Sequence, residues 1–123
     1  MNEVEIAAGG RVQGVNFRNM CRNFCYGKGI AGYIMNRNDG SVFINAQGEK
    51  KELNGLISWL QSNPGLAKVR KLSCKWKKIE IKYKEFTIKR QSNYVMDRAK
   101  GIMNFVKKDY INSLKNKTKY HMI

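Results

Sequence analysis

Glycines that free a backbone to turn, and an arginine just beyond them, are the residues here that could do chemistry together. The stretch "GGRVQGVNFRNM", residues 9–20, sets Gly9, Gly10 and Gly14 ahead of Arg18, where an alternating apolar segment gives way to a helix-like one. Gly14 reaches φ values closed to other residues, so successive backbone N–H groups can turn inward together. A helix beginning near Phe17 leaves its first N–H groups unpaired and carries partial positive charge at that end. Arg18, in its first turn, offers a planar fork to an oxyanion. Loop amides, a helix N-terminus and one arginine are what a phosphate group needs. Neither GxxxxGK[ST] nor GxGxxG is present. On the residues alone, an anion cradle and a plain strand-to-helix turn both stay open.

The elements that must hold these residues follow from the apolar pattern. "EVEIAA" alternates, with Val4, Ile6 and Ala8 on one face, and predicts a half-buried strand. Phe17, Met20, Cys21, Phe24 and Cys25 recur at helical spacing, and Gly27 and Gly29 end that helix. "IAGYIMN" alternates again, and "NDG" at 38–40 turns the chain into the return strand "SVFINAQG". Leu53, Leu56, Ile57 and Leu60 mark a second helix, stopped at Pro64-Gly65. The segment from Ala67 to Arg90 is β-like: Leu72, Cys74 and Trp76 alternate, then Ile79 and Ile81. A break near Tyr83–Lys84 leaves "EFTIKR" as the closing strand, with the segment before it as a candidate extra strand. The order β-α-β-β-α-β predicts an α+β, ferredoxin-like sandwich, an antiparallel sheet with two helices on one face.

"GRVQGVNFR" at 10–18 resembles the first signature of the acylphosphatases, and "GYIMNRNDGSV" at 32–42 resembles the second, G-x-V-x-N-x-x-D-G-x-V. The resemblance covers residues 3 to 90. Tyr33 stands where the family often has Trp, and Ile34 replaces Val; neither change touches the chemistry. The resemblance implies metal-free hydrolysis of the carboxyl-phosphate bond of acyl phosphates, giving carboxylate and inorganic phosphate without a covalent intermediate or cofactor. It implies that Arg18 binds the phosphate, that Asn36 orients the attacking water, and that the loop Gln13, Gly14, Val15, Asn16 and Phe17 supplies the cradle amides. Inorganic phosphate is then both product and inhibitor. The chemistry is reasonable without a strong base: an acyl phosphate carries a good leaving group, and phosphoryl transfer is mainly positioning and charge stabilisation. Asp39-Gly40 reads as turn chemistry, and Trp59 and Trp76 as packing, with Trp76 close to a lysine-rich surface.

Composition narrows the rest. Cys21, Cys25 and Cys74 form no metal-binding pattern with the single His121 and read as reduced. No apolar run reaches membrane-span length, and the acidic, alternating start is unlike a signal peptide, so a cytoplasmic protein is expected. The net charge is +15, with 17 Lys and Arg against 7 Asp and Glu in residues 1–90 and 7 against 2 beyond. Such charge attracts anions of every size. The competing function is therefore a non-catalytic anion- or nucleic-acid-binding module; RNA binding is the weaker reading, because the aromatic signature of base-stacking sheets is absent. Residues 1–91 are read as the acylphosphatase-like domain, and 92–123 as a basic extension. In it Val95, Ala99, Ile102, Met103, Val106, Tyr110 and Leu114 form one stripe, which predicts an amphipathic helix over 94–115. That helix is expected on the open sheet face of its own chain or of a second subunit, giving a monomer or a tail-mediated dimer.

Overall fold

The structure, a computed structural model, describes residues 1–90; the helix expected over 94–115 lies outside them. The elements are β1 (Asn2–Arg11), α1 (Phe17–Cys25), β2 (Ala31–Asn36), β3 (Val42–Gly48), α2 (Lys50–Gln61), β4 (Lys68–Lys77) and β5 (Phe86–Lys89). One sheet runs in the order β4-β1-β3-β2-β5. The fold is the expected α+β, ferredoxin-like sandwich.

The alternation decides which face meets the helices. Val4, Ile6 and Ala8 of β1, Ile34 of β2, and Val42, Ile44 and Ala46 of β3 join Phe17, Cys21 and Cys25 of α1 and Leu53, Leu56 and Leu60 of α2 in one core. A core of this kind is the main source of stability, since removing apolar area from water is what drives compaction. Trp59 packs as the sequence suggests, stacking on Phe24 at 4.8 Å and on Phe17 at 6.2 Å between ring centroids. Trp76 is partly exposed, with the Lys50 ammonium 5.6 Å from its ring.

The sheet departs from the expected antiparallel form at one strand. β4 takes the fourth position, beside β1, and the segment "EFTIKR" does not close that set; its β5 pairs in parallel with β2 at the opposite edge. The sheet is therefore mixed. Strand alternation also ends earlier than the sequence suggests. β4 stops at Lys77, and Ile81 is exposed. The reason is geometric: from one sheet edge to the other, residues 78–85 must cross the sheet and so cannot pair as a strand. They cross the face opposite the helices. There the Gln47 amide donates to Glu3 Oε1 at 2.6 Å and to the Ile81 carbonyl, its Oε1 accepts from the Tyr83 N–H at 3.0 Å, and Tyr83 packs edge-on against Tyr33.

Candidate active site

The first half of the site is the turn between β1 and α1. Register shifts between Gly9 and Gly10 where β1 pairs with β4. At Gly10, φ is +123°, and a Cβ would lie 2.2 Å from the Lys68 carbonyl oxygen, so only glycine allows this close bulge. β1 ends at Arg11 and α1 starts at Phe17, as the sequence indicated. Between them, Gly14 has φ +75° and Asn16, at the cap position, has φ 64°. These left-handed residues bend the chain sharply, and Asn16 begins the helix, its carbonyl accepting from the Met20 N–H at 3.1 Å. No acidic residue stands in the first turn of α1. Its unpaired N–H groups keep their attraction for an external anion.

Phe17 anchors this end of the helix. Its ring is 2% exposed and belongs to the core. Arg18, the next residue, turns the other way and is half-buried. Lys77 pairs with Glu3 and Glu5, and no ion pair among the described residues involves Arg18. Among the described residues the guanidinium thus has no carboxylate partner, and it stands at the mouth of the turn.

The second half is the end of β2. Asn36 is its last residue and pairs with Val42 of β3. The hairpin beyond it is built by its own polar groups. Gly40 N–H donates to the Arg37 carbonyl at 3.2 Å, Arg37 N–H to the Ser41 carbonyl at 2.9 Å, and Ser41 N–H to Asp39 Oδ1 at 2.9 Å. Asp39 and Gly40 thus serve the turn, in keeping with their reading from sequence. Gln13 joins the two halves. Its side-chain amide donates to the Arg37 carbonyl at 2.8 Å and to the Ser41 carbonyl at 2.9 Å. The turn that carries Arg18 is thereby tied to the hairpin that carries Asn36.

Where the halves meet, a cavity of about 120 Å³ is lined by Val12, Gly14, Asn16, Phe17, Arg18, Asn19, Asn36, Ile88 and Arg90. Arg18 and Asn36 are 18 residues apart in sequence and share this wall. Gly14, Asn16 and Phe17 also line it. Gln13 and Val15 lie behind it, Gln13 as the tie just described and Val15 half-buried against the core. Asn36 Oδ1 is buried and has no hydrogen-bond partner among the described residues. A buried acceptor left bare costs free energy, so a site that keeps one is matched to a donor from outside, such as water.

Four lining residues were not singled out from sequence: Val12, Asn19, Ile88 and Arg90. Asn19 follows Arg18 by one residue, and its amide donates to Asn16 Oδ1 at 2.7 Å, steadying the first turn. Ile88 and Arg90 come from β5 and its end. Only the parallel pairing of β5 with β2 brings them beside Asn36, and that pairing has no local sequence signal. Arg90 adds a second cation to the wall. Among the described residues no three His, Cys, Asp or Glu side chains gather as a metal site, and no helix is long and apolar enough to cross a membrane.

Known proteins share this fold. The acylphosphatase family profile matches residues 4–88. An acylphosphatase of Archaeoglobus fulgidus is 41% identical over 88 residues, which cover 72% of this chain and 98% of that protein. One from Roseiflexus sp. is 34% identical over 88 residues, 72% of this chain and 95% of that protein. The crystal structure of acylphosphatase from Bacillus subtilis superposes with a TM-score of 0.69 at 29% identity, over 72% of this chain and 99% of that one. The chain belongs to the acylphosphatase family of enzymes.

Proposed function

We propose that this chain hydrolyses acyl phosphates to a carboxylate and inorganic phosphate, with Arg18 holding the phosphoryl group and Asn36 placing the water. The observation that carries this reading is the shared cavity: Arg18 and Asn36 Oδ1, neither with a partner among the described residues, and the open N-terminus of α1 all line one small space. The phosphoryl oxygens lie against the turn amides of residues 14–17 and the Arg18 fork. These donors offset negative charge where it grows in the transition state. Asn36 Oδ1 accepts a hydrogen bond from the attacking water and fixes its direction.

The reaction balances without a protein base. The water oxygen forms a bond to phosphorus as the bond to the acyl oxygen breaks. That electron pair leaves on the carboxylate, and the water's proton passes to a phosphoryl oxygen of the substrate. The protein's contribution is orientation and charge. Arg90, at the rim, raises the local positive potential and favours capture of the dianion.

The test is release of phosphate from acetyl phosphate by the purified chain, with Asn36→Ala beside it. Turnover by the wild type that is lost in the variant, with phosphate still inhibiting, supports the assignment. A wild type that binds phosphate and turns nothing over would reduce the site to an anion-binding module.

A further inference from the structure

Asn16 begins α1 in an unusual way. An asparagine at the cap position ordinarily has an extended backbone and turns its own Oδ1 onto the N–H of the second or third helical residue. In this helix those residues are Arg18 and Asn19. Asn16 is instead left-handed, with φ 64° and ψ 21°, and its side chain makes no such bond. The oxygen goes elsewhere: Asn16 Oδ1 accepts from the Asn19 side-chain amide at 2.7 Å. Asn19 Oδ1 in turn accepts from Arg22 Nη2 at 3.4 Å. Asn16, Asn19 and Arg22 stand three residues apart, so their side chains are neighbours along one side of the helix.

Chemistry fixes the direction of this series. A guanidinium can only donate, so the Asn19 atom that faces Arg22 is the oxygen. The Asn19 nitrogen therefore faces Asn16, and it draws the Asn16 oxygen away from the helix amides. The left-handed backbone needs such a contact. Asparagine tolerates that region when its short polar side chain finds a local hydrogen bond, but the region is not its resting state. Released from Asn19, Asn16 would return to the extended form and cap its own helix. Its oxygen would then lie on the α1 N–H groups, in the place and with the charge of a phosphate oxygen. Asn16 and Asn19 both line the cavity that holds Arg18 and Asn36.

We propose that Asn19 is a positioning residue for the reaction: it holds Asn16 Oδ1, keeps Asn16 left-handed and prevents it from capping its own helix. The first N–H groups of α1 then stay open to the substrate phosphate. Arg22 orients Asn19 and acts one step further back. This role presupposes that the cavity is the phosphoryl site, the reading given above. The end of α1 gives up the stability of a side-chain cap, and the site keeps its donors.

Asn19→Ala in the full chain tests this, by inhibition of acetyl phosphate hydrolysis with inorganic phosphate and by amide hydrogen exchange read in NMR spectra. The inhibition constant should rise about threefold to tenfold, the worth of one ordinary hydrogen bond. Exchange at the N–H groups of residues 18 and 19, measured without phosphate, should slow as Asn16 turns onto one of them. Asn16→Gly added to Asn19→Ala should recover most of the lost inhibition, because glycine takes a positive φ freely and brings no oxygen. A general structural role for Asn19 would not be rescued in this way. An unchanged inhibition constant in Asn19→Ala, a loss that Asn16→Gly leaves in place, or unchanged exchange overturns the proposal. A wild type that neither turns over acetyl phosphate nor binds phosphate overturns the phosphoryl site, and this role with it; the exchange measurement then still shows whether Asn19 holds Asn16.

Discussion

Two polar regions lie at opposite ends of the sheet, and they use their hydrogen-bonding groups in opposite ways. Where residues 78–85 cross, the Gln47 side chain spends both its amide nitrogen and its oxygen on Glu3, Ile81 and Tyr83, and Lys77 lies 3.5 Å from Glu3 and 3.6 Å from Glu5. Donors and acceptors close on one another, and the region holds the chain in place. At the β1–α1 turn, donors and an acceptor are left open: the helix N-terminus, Arg18 and Asn36 Oδ1. A bare oxygen alone does not mark a site. Asn45 Oδ1 is equally bare, yet it sits on the second face, away from the turn and the arginine. Convergence separates the two cases, because only Asn36 shares a cavity with a cation and a helix N-terminus.

Changes at the open end should alter kinetics. Arg18→Lys should have the largest effect. It keeps the charge but replaces a two-point fork with a point charge. With about 1.5–3 kcal/mol for each hydrogen bond to a charged group, kcat/KM for acetyl phosphate should fall about a hundredfold or more. Inhibition by inorganic phosphate should weaken in parallel. Unchanged phosphate inhibition in this variant would remove Arg18 from the site.

Asn36→Ala comes next and sharpens the contrast inside the cavity. Placing water matters in the transition state and not for ground-state binding of the anion. Turnover should fall about a hundredfold, a usual cost of lost positioning, while the phosphate inhibition constant stays within about twofold. Equal losses in both would show that Asn36 supports the turn instead. Chelating agents should leave turnover unchanged.

The closed end should behave as structure. Gln47→Leu keeps the volume but leaves Glu3 Oε1 and the Tyr83 N–H without the Gln47 amide, at a cost of about 2–4 kcal/mol. Denaturant or thermal melts would measure it. The kinetic constants of the folded fraction should not move; a large loss of kcat would mean that the two ends are coupled through β3.

How legible each end was follows from the range of its interactions. The turn is local: Gly14, Arg18 and the "NDG" hairpin announce themselves within a few residues, whereas Asn36 was picked out through the resemblance of "GYIMNRNDGSV" to the acylphosphatase signature. The strands and helices of residues 1–62 follow from period-2 and period-3.6 patterns that match their burial. The crossing was not legible. Ile79, Ile81 and Tyr83 continue the alternation of β4, and alternation says nothing about which strand is the neighbour. The parallel pairing of β5 with β2 is a long-range fact, and Arg90 and Ile88 join the cavity only through it. The side-chain amide of Gln13 on the hairpin carbonyls was not legible either, because the hairpin lies 24 and 28 residues further along the chain.

The smallest expected effect is at alkaline pH, and it belongs to the closed end and its surroundings. For Lys77, burial works against the charge, but Glu5 and then Glu3 outweigh it and raise the pKa. Burial, with Glu3 beside it, raises Tyr83, and burial pushes Cys74 up to about 11 from 9.0. In all three the folded chain holds its proton more tightly than the unfolded one. Their contributions are present in full below the unfolded values and are lost as pH rises through the folded ones. Lys89 runs the other way, since burial lowers its pKa and favours the neutral form. Cys21 sides with the first three, raised by its hydrogen bond to Cys25 and by burial, and four groups against one predict that stability declines from about pH 9 upward. Cys74→Ala should flatten the decline between pH 9.0 and about 11, the interval set by the Cys74 shift. Urea melts at stepped pH would measure it. The phosphate inhibition constant over pH 7–9 should stay flat, because none of these five groups lines the cavity. A decline in phosphate binding that tracks the loss of stability would show that the closed end holds the open one in shape.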